Sequence, residues 1–512
     1  MSDDPIHSDR TAELRQRATL SQYAFTSGAP GIGRLLARLR GAWNSVATQW
    51  QVRPLMERQS DFNRTLVDWL ERRSGLPELD TRLIEQDRDA TRLISATGMV
   101  EARTANLHGD RIAAGAPSGP ARRRLRIAYF SPLPPSRSGI ADYSAELLPH
   151  LAELADVTVF ADEPVSVALP GLAMKSPGEY PQLRQSFDLP LYQMGNSAAH
   201  ETIYDLLVRY PGVVVLHDYF LHHFVRHHTA GRGDWTAYGR EMAYSLGGDG
   251  RRLAKAVHAA RADAPLFDEP LNRRLLDASL GLIVHSRFAA ERAQSQRPGL
   301  PLAVVPALAA LHPGESLRSG LELPDDALLF GSFGQITAEK RIDLALRAFR
   351  RVRENHPDAH FLLVGETRPD VDLAALIAAN ELEDAVHHIG YVADLDEFVN
   401  WIHTADVVVN LRQPTVGETS AVALRAMAAA RPLIVFDHGW YSELPEEAAL
   451  KTPAGDSEAL RAAMERLAAS ADLRRSMGAA GLEYVRRNCL PQHVAGAYHD
   501  FLHNVLERAG NG

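Results

Sequence analysis

The chain predicts an α/β protein with two doubly wound parallel sheets in tandem, preceded by a helical extension. Three observations carry this expectation. Short β-branched or apolar runs alternate with helical stretches from Leu125 onward, a second such series begins at Leu328, and residues 1–118 contain no convincing strand. Alternation of buried strands with covering helices marks a parallel sheet, because each crossover must carry the chain back to the same edge.

The extension reads as helices over 32–50 and 62–93, followed by HGDRIAAGAPSGPARRR as a linker. In the first helix Leu35, Leu36, Leu39, Trp43, Val46 and Trp50 share a face, with Arg34, Arg38 and Arg40 beside it. A basic amphipathic helix carrying tryptophan fits a membrane interface, a second copy of the chain, or the protein's own body. Leu66, Leu70, Leu83 and Leu93 suggest a short coiled coil, so residues 32–95 are the expected place of peripheral membrane contact or self-association. The first α/β unit, 119–307, holds the runs RIAYFSP, VTVFA, LPLYQM, VVVLHD, GLIVHS and LAVVP. The second, 308–490, holds LLFGSFG, HFLLVG, VHHIG, ADVVVNL and PLIVF, and residues 491–512 are expected to cross back to the first unit as a helix.

A chain of 512 residues is too long for one core. Its 45% apolar and 23% charged content is ordinary for a globular protein, and a net charge of −9 argues against a nucleic-acid partner. The single cysteine, Cys489, excludes an internal disulfide. The polar opening MSDDPIHSDR and the lack of any run near the ~18 apolar residues of a membrane span predict a cytoplasmic location, with the extension as the means of any contact with the membrane's cytoplasmic face.

The chemistry is concentrated where strands of the second unit end. LLFGSFG runs into QITAEKRIDLALRAF, and ADVVVNL leads to GETSAVALRAMAAARP. A helix N-terminus offers unpaired N–H groups and partial positive charge, and ligands of open α/β sheets lie outside the strands' C-terminal ends. Lys340 at one opening suits a phosphate, and Glu418 at the other suits hydroxyls. Phosphate on one side and polyol on the other describe a nucleotide sugar.

The motifs FGQITAEKR, VHHIGYV, GETSAVALRAMAAARP, Glu443-Leu444-Pro445 and PAGDSEAL resemble the retaining glycosyltransferases of the GT-B fold, family 4, also called group 1. PLPPSRSGIADYSAELL, YQMGNSAAH and VVLHDYFLHH are similar to the acceptor half of the same family, whose two Rossmann-like domains face a cleft. The resemblance implies Lys340, assisted by Arg341, as the diphosphate clamp; Glu418 on donor-sugar hydroxyls; and backbone N–H groups of Thr419 and Ser420 on phosphate. It implies His217 beside the reacting face, Gly139 in close approach to phosphate, and the base and ribose near Gly390, Tyr391 and Val392, beside Gly365. Glu443 binds ribose or donor sugar, or caps a turn; Asp142 and Asn196 touch the acceptor or serve as caps. Two departures stand out. The family's arginine before the lysine is Gln335 here, and its second glutamate is Arg425.

The implied activity is a metal-independent, retaining hexosyltransferase. It moves a sugar from a UDP- or GDP-sugar to a glycan or lipid-linked acceptor in surface-polysaccharide assembly, without a cofactor. The alternatives are a GT-B phosphorylase or epimerase, and a degenerate scaffold kept for its helices. Three further motifs lead elsewhere. His223 and His227 share a helix face as metal ligands can, but in HDYFLHHFVRHH they read better as exposed imidazoles of a cleft helix. Asp370-Val371-Asp372 and Asp394-Leu395-Asp396 each precede a helix and read as caps. SGAPGIG lacks the strand and spacing of a dinucleotide fingerprint.

Overall fold

The computed structural model describes residues 77–114, 124–162, 165–321, 323–324 and 327–508. The amphipathic helix expected over 32–50 and the start of the one over 62–93 lie outside these. The first helix, α1 (Pro77–Ala114), runs well past Leu93 and through the first part of the expected linker. MVEARTANLHGDRIAA is rich in strong helix formers, which outweigh the lone Gly109. Of the four leucines of the expected coiled coil, Leu66 and Leu70 lie outside the described residues, Leu83 is buried and Leu93 is 55% exposed.

The first unit is a seven-stranded sheet in the order β3-β2-β1-β4-β5-β6-β7, with every pair parallel. Its strands are β1 (Arg126–Phe130), β2 (Asp156–Phe160), β3 (Ala173–Lys175), β4 (Leu189–Met194), β5 (Val213–Leu216), β6 (Gly281–Val284) and β7 (Leu302–Val304). Helix α2 (Gly139–Leu154) follows β1 and α3 (Glu201–Arg209) follows β4. Between β5 and β6 the chain makes α4 (His222–His228), α5 (Trp235–Leu246), α6 (Gly248–His258) and α7 (Arg273–Ala278), and α8 (Arg287–Gln296) follows β6.

The second unit is a parallel six-stranded sheet, β10-β9-β8-β11-β12-β13. It comprises β8 (Leu329–Phe333), α9 (Ile342–Arg353), β9 (His360–Val364), α10 (Leu373–Ala379), β10 (Val386–Gly390), α11 (Leu395–Thr404), β11 (Val407–Val409), α12 (Ala421–Ala428), β12 (Leu433–Phe436) and β13 (Ala449–Thr452). Then come α13 (Ser457–Ala469), α14 (Ala471–Asn488) and α15 (Pro491–Arg508).

Side chains alternate across each strand, so Ile127 and Tyr129 enter one core while Ala128 and Phe130 enter another. The first of these cores continues through Tyr498 and Leu502 of α15 to Val408 and Met427 of the second unit. Helix α15 packs on α2, where Tyr498 and Tyr143 share a 2.6 Å hydroxyl contact. It thereby fastens the end of the chain to the first unit.

Helix α1 is held to the first unit by charge. Arg274 on α7 bonds Asp87 of α1 at 2.8 Å and Glu241 of α5 at 2.8 Å, with its guanidinium 3.9 Å from the Tyr244 ring centroid. All three charged groups are mostly buried, so each depends on the others for its solvation. Arg274→Ala strands two carboxylates and is expected to lower the stability of the full chain by about 3–5 kcal/mol in chemical denaturation. Among the described residues, no helix is long and apolar enough to cross a membrane.

Candidate functional site

Strand β8 ends at Phe333, and Gly334 follows with φ +83°. A Cβ on Gly334 would lie 2.8 Å from Lys340 Nζ, so glycine is what lets the amine fold back onto the Phe333 carbonyl. Lys340 is buried at the end of a short 3-10 turn. Burial, and then the charge of Arg412, lower its ammonium to about 7.

Arg412 arrives from the loop after β11, and its Nε lies 2.7 Å from Glu418 Oε1. That loop is stitched to the lysine's own turn: Gln413 N–H donates to Glu339 O at 2.7 Å, and Arg341 Nη1 donates to Gln413 Oε1 at 2.7 Å. Arg341 has φ 51° and turns its guanidinium onto Asp343 at 3.0 and 3.1 Å. Arg412 therefore stands as the cation beside Lys340, while Arg341 braces the turn from outside.

Glu418 Oε2 accepts hydrogen bonds from Thr415 Oγ1 at 2.7 Å and Val416 N at 2.8 Å. The carboxylate thus shapes its own loop and balances Arg412. Gly417, at φ +72°, brings this loop onto the first unit, where a Cβ would come 2.6 Å from that of Tyr219. Phe220 N–H donates to Val416 O across the same junction at 2.8 Å. Ser420 caps α12 by accepting from Ala423 N at 3.1 Å and is held by Asn410 Nδ2 at 2.7 Å. With Thr419 it leads into the head of α12, whose first N–H groups have no partner within the helix.

Opposite lies His217, after β5. His285 Nδ1 bonds Val305 O at 2.8 Å, so that nitrogen carries the proton. Burial holds His285 neutral, at about 4, leaving its Nε2 to accept from His217 Nδ1 at 3.2 Å. His217 is pushed well below its ordinary value by burial and then by His285 and His200. Its Nε2 lone pair therefore meets the Gln193 side-chain amide at 2.7 Å, and the network is satisfied when that amide turns its NH2 to the ring. Tyr143 packs edge-on at 4.8 Å. Both ring nitrogens are thus used inside the protein.

Asp218 accepts from Asn196 N at 2.7 Å, and burial raises its carboxyl to about 6. Asn196 caps α4 through Phe224 N at 2.8 Å. Gly139, next to the Ser138 cap of α2, has open space where a Cβ would be.

Glu443 receives the N–H groups of Arg287 at 2.9 Å and Phe288 at 2.8 Å, capping α8 of the opposite unit. Arg425 crosses the other way to Glu146 on α2 at 2.7 Å, where His312 also approaches at 3.3 Å. This accounts for the reversed charge at that position: an arginine here has a buried partner on the facing domain. Asp142, one turn from Glu146, has its carboxyl raised by burial, against the pull of Arg425.

Gly365, just after β9, and Gly390, the last residue of β10, are both at positive φ. Tyr391 is 49% exposed, with Arg137 of the first unit 4.5 Å from its ring centroid, and Val392 packs partly buried beside it. Asp372 and Asp394 cap α10 and α11 through Ala375 N and Glu397 N.

Arg412, Glu146, Gln193 and His285 escaped sequence reasoning. For Arg412 a signal existed, since a cation immediately after the buried run VVVNL sits at a strand's C-terminal end.

Residues 327–470 match the family model for glycosyl transferases, group 1. Over 181 residues the chain is 26% identical to the lipopolysaccharide 1,2-N-acetylglucosaminetransferase of Salmonella typhimurium, covering 33% of this chain and 47% of that one. The chain thus spans about half the length of this curated relative. The fold matches HepE of Anabaena, solved in complex with UDP, with a TM-score of 0.53 at 16% identity over 74% of this chain and 100% of that one. It also matches sucrose-phosphate synthase of Thermosynechococcus elongatus, with a TM-score of 0.50 at 18% identity over 75% and 100%. The matched family model lies over the unit that carries Lys340, Arg412 and Glu418, so that unit is similar to the group 1 glycosyl transferases, and the two parallel sheets give the chain the GT-B fold.

Proposed function

We propose that this protein transfers a sugar, with retention, from a nucleoside-diphosphate sugar to a glycan or lipid-linked acceptor in surface-polysaccharide assembly. The carrying observation is the pair of adjacent cations, Lys340 and Arg412, beside the head of α12. Lys340 donates to a neutral carbonyl while buried, an arrangement that a diphosphate relieves. The HepE structures with UDP and with UDP-glucose support the donor class, and the Salmonella relative supports the pathway.

In the reaction the bond from the anomeric carbon to the diphosphate oxygen breaks as the acceptor oxygen bonds to the same face. The acceptor's proton passes to the departing diphosphate. Lys340, Arg412 and the N–H groups of α12 stabilise the charge gathering on that group. His217, locked as a neutral ring, shapes the face at which the sugar reacts.

The sign of the pH dependence follows from Lys340. Its protonated form binds the diphosphate, and the free group titrates at about 7. UDP or GDP affinity is expected to be full below that value and to fall about tenfold per pH unit above it, with proton uptake in calorimetry at about pH 8. Affinity that stays level across this range, or a Lys340→Gln variant with the same profile, contradicts the role.

A further inference from the structure

Asn196 does more than cap α4. Its Oδ1 accepts the Phe224 N–H at 2.8 Å, which fixes the orientation of the amide and leaves Nδ2 as a donor. Nδ2 lies 3.2 Å from His223 Nδ1, so that ring nitrogen must accept. The neutral imidazole then carries its proton on Nε2. Asp218 anchors the arrangement from behind through Asn196 N–H.

The His223 ring is half-buried, with Phe267 edge-on at 5.1 Å. Glu339 and Arg368 of the second unit stand near enough across the cleft for their charges to act on it. Burial also disfavours a second proton on the ring, which Asn196 Nδ2 would in any case oppose. An N–H donor on one wall and a half-buried carboxylate on the other can bracket a group that both accepts and donates. A sugar hydroxyl does this, and the flank of an aromatic ring suits the apolar face of a pyranose.

We infer that His223, Phe267 and Glu339 form a saccharide subsite, in which His223 Nε2–H donates to a sugar hydroxyl whose own proton goes to Glu339. Identifying this saccharide as the acceptor rests on the proposed transfer reaction, because His223 and Phe267 lie on the first unit's wall while Glu339 belongs to the turn that carries Lys340.

The test uses the full chain labelled with 15N-histidine and saturated with UDP or GDP, titrated with p-nitrophenyl α- and β-hexosides. The expected spectrum shows His223 neutral and protonated on Nε2, with that signal shifting on addition of at least one glycoside. His223→Ala is expected to weaken that glycoside about tenfold, the scale of one lost hydrogen bond, while nucleotide affinity stays within twofold. Asn196→Asp still caps α4 but accepts from Nδ1, so it is expected to move the proton to that nitrogen and to weaken the glycoside at high pH. A wild-type ring protonated on Nδ1, or no glycoside that shifts His223, overturns the subsite. Failure of UDP and GDP to bind, with the glycoside response intact, overturns the donor reading instead and leaves the subsite standing.

Discussion

Lys340→Ala is expected to lower turnover by about 10²–10³-fold with the fold intact, the scale of one charge-stabilising donor removed from a transition state. The fold should survive because the ammonium is a net burden in the empty protein. It is buried, it lies beside Arg412, and it donates to a backbone carbonyl that can accept a water instead. Its value appears when an anion arrives. The same reasoning predicts that Lys340→Ala does not destabilise the empty protein, which thermal unfolding checks alongside turnover. A variant that unfolds early but turns over normally when folded contradicts the assignment.

Arg425→Glu is the second large effect. It restores the residue that the family pattern carries but sets a carboxylate against Glu146 on the facing unit, where Arg425 and Glu146 are both mostly buried. Removing one partner of such a pair costs about 3–5 kcal/mol, and replacing it with like charge costs no less. The loss falls on the contact between units, so the expected reading is a more open cleft in small-angle scattering together with reduced turnover. Glu146→Arg in the same chain should recover much of both. His312, which the Glu146 carboxylate holds above its ordinary value, would then lose its partner, so recovery is expected to be incomplete.

The strands were legible because each is a short β-branched or apolar run between loops, as VVVL at β5 and LIVF at β12 show. Two were not. β3 is three residues on an exposed edge, and ALKT of β13 has neither alternation nor β-branched weight. The turn bearing Lys340 could be read because an apolar strand, a glycine and a charged helix start follow one another in sequence. The cross-domain pairs could not: Arg425 with Glu146 and Glu443 with the head of α8 join residues far apart in the chain, and nothing local marks either partner. The left-handed conformation of Arg341, which turns it away from Lys340, likewise has no local signal in a non-glycine residue.

The most direct test of the whole account is a crystal structure of the protein with UDP or GDP bound. The diphosphate is expected within hydrogen-bonding distance of Lys340 Nζ, the Arg412 guanidinium and the first N–H groups of α12, with His217 facing it across the cleft. A nucleotide seated away from these groups, or Lys340 still folded onto Phe333 with the nucleotide bound, would contradict it.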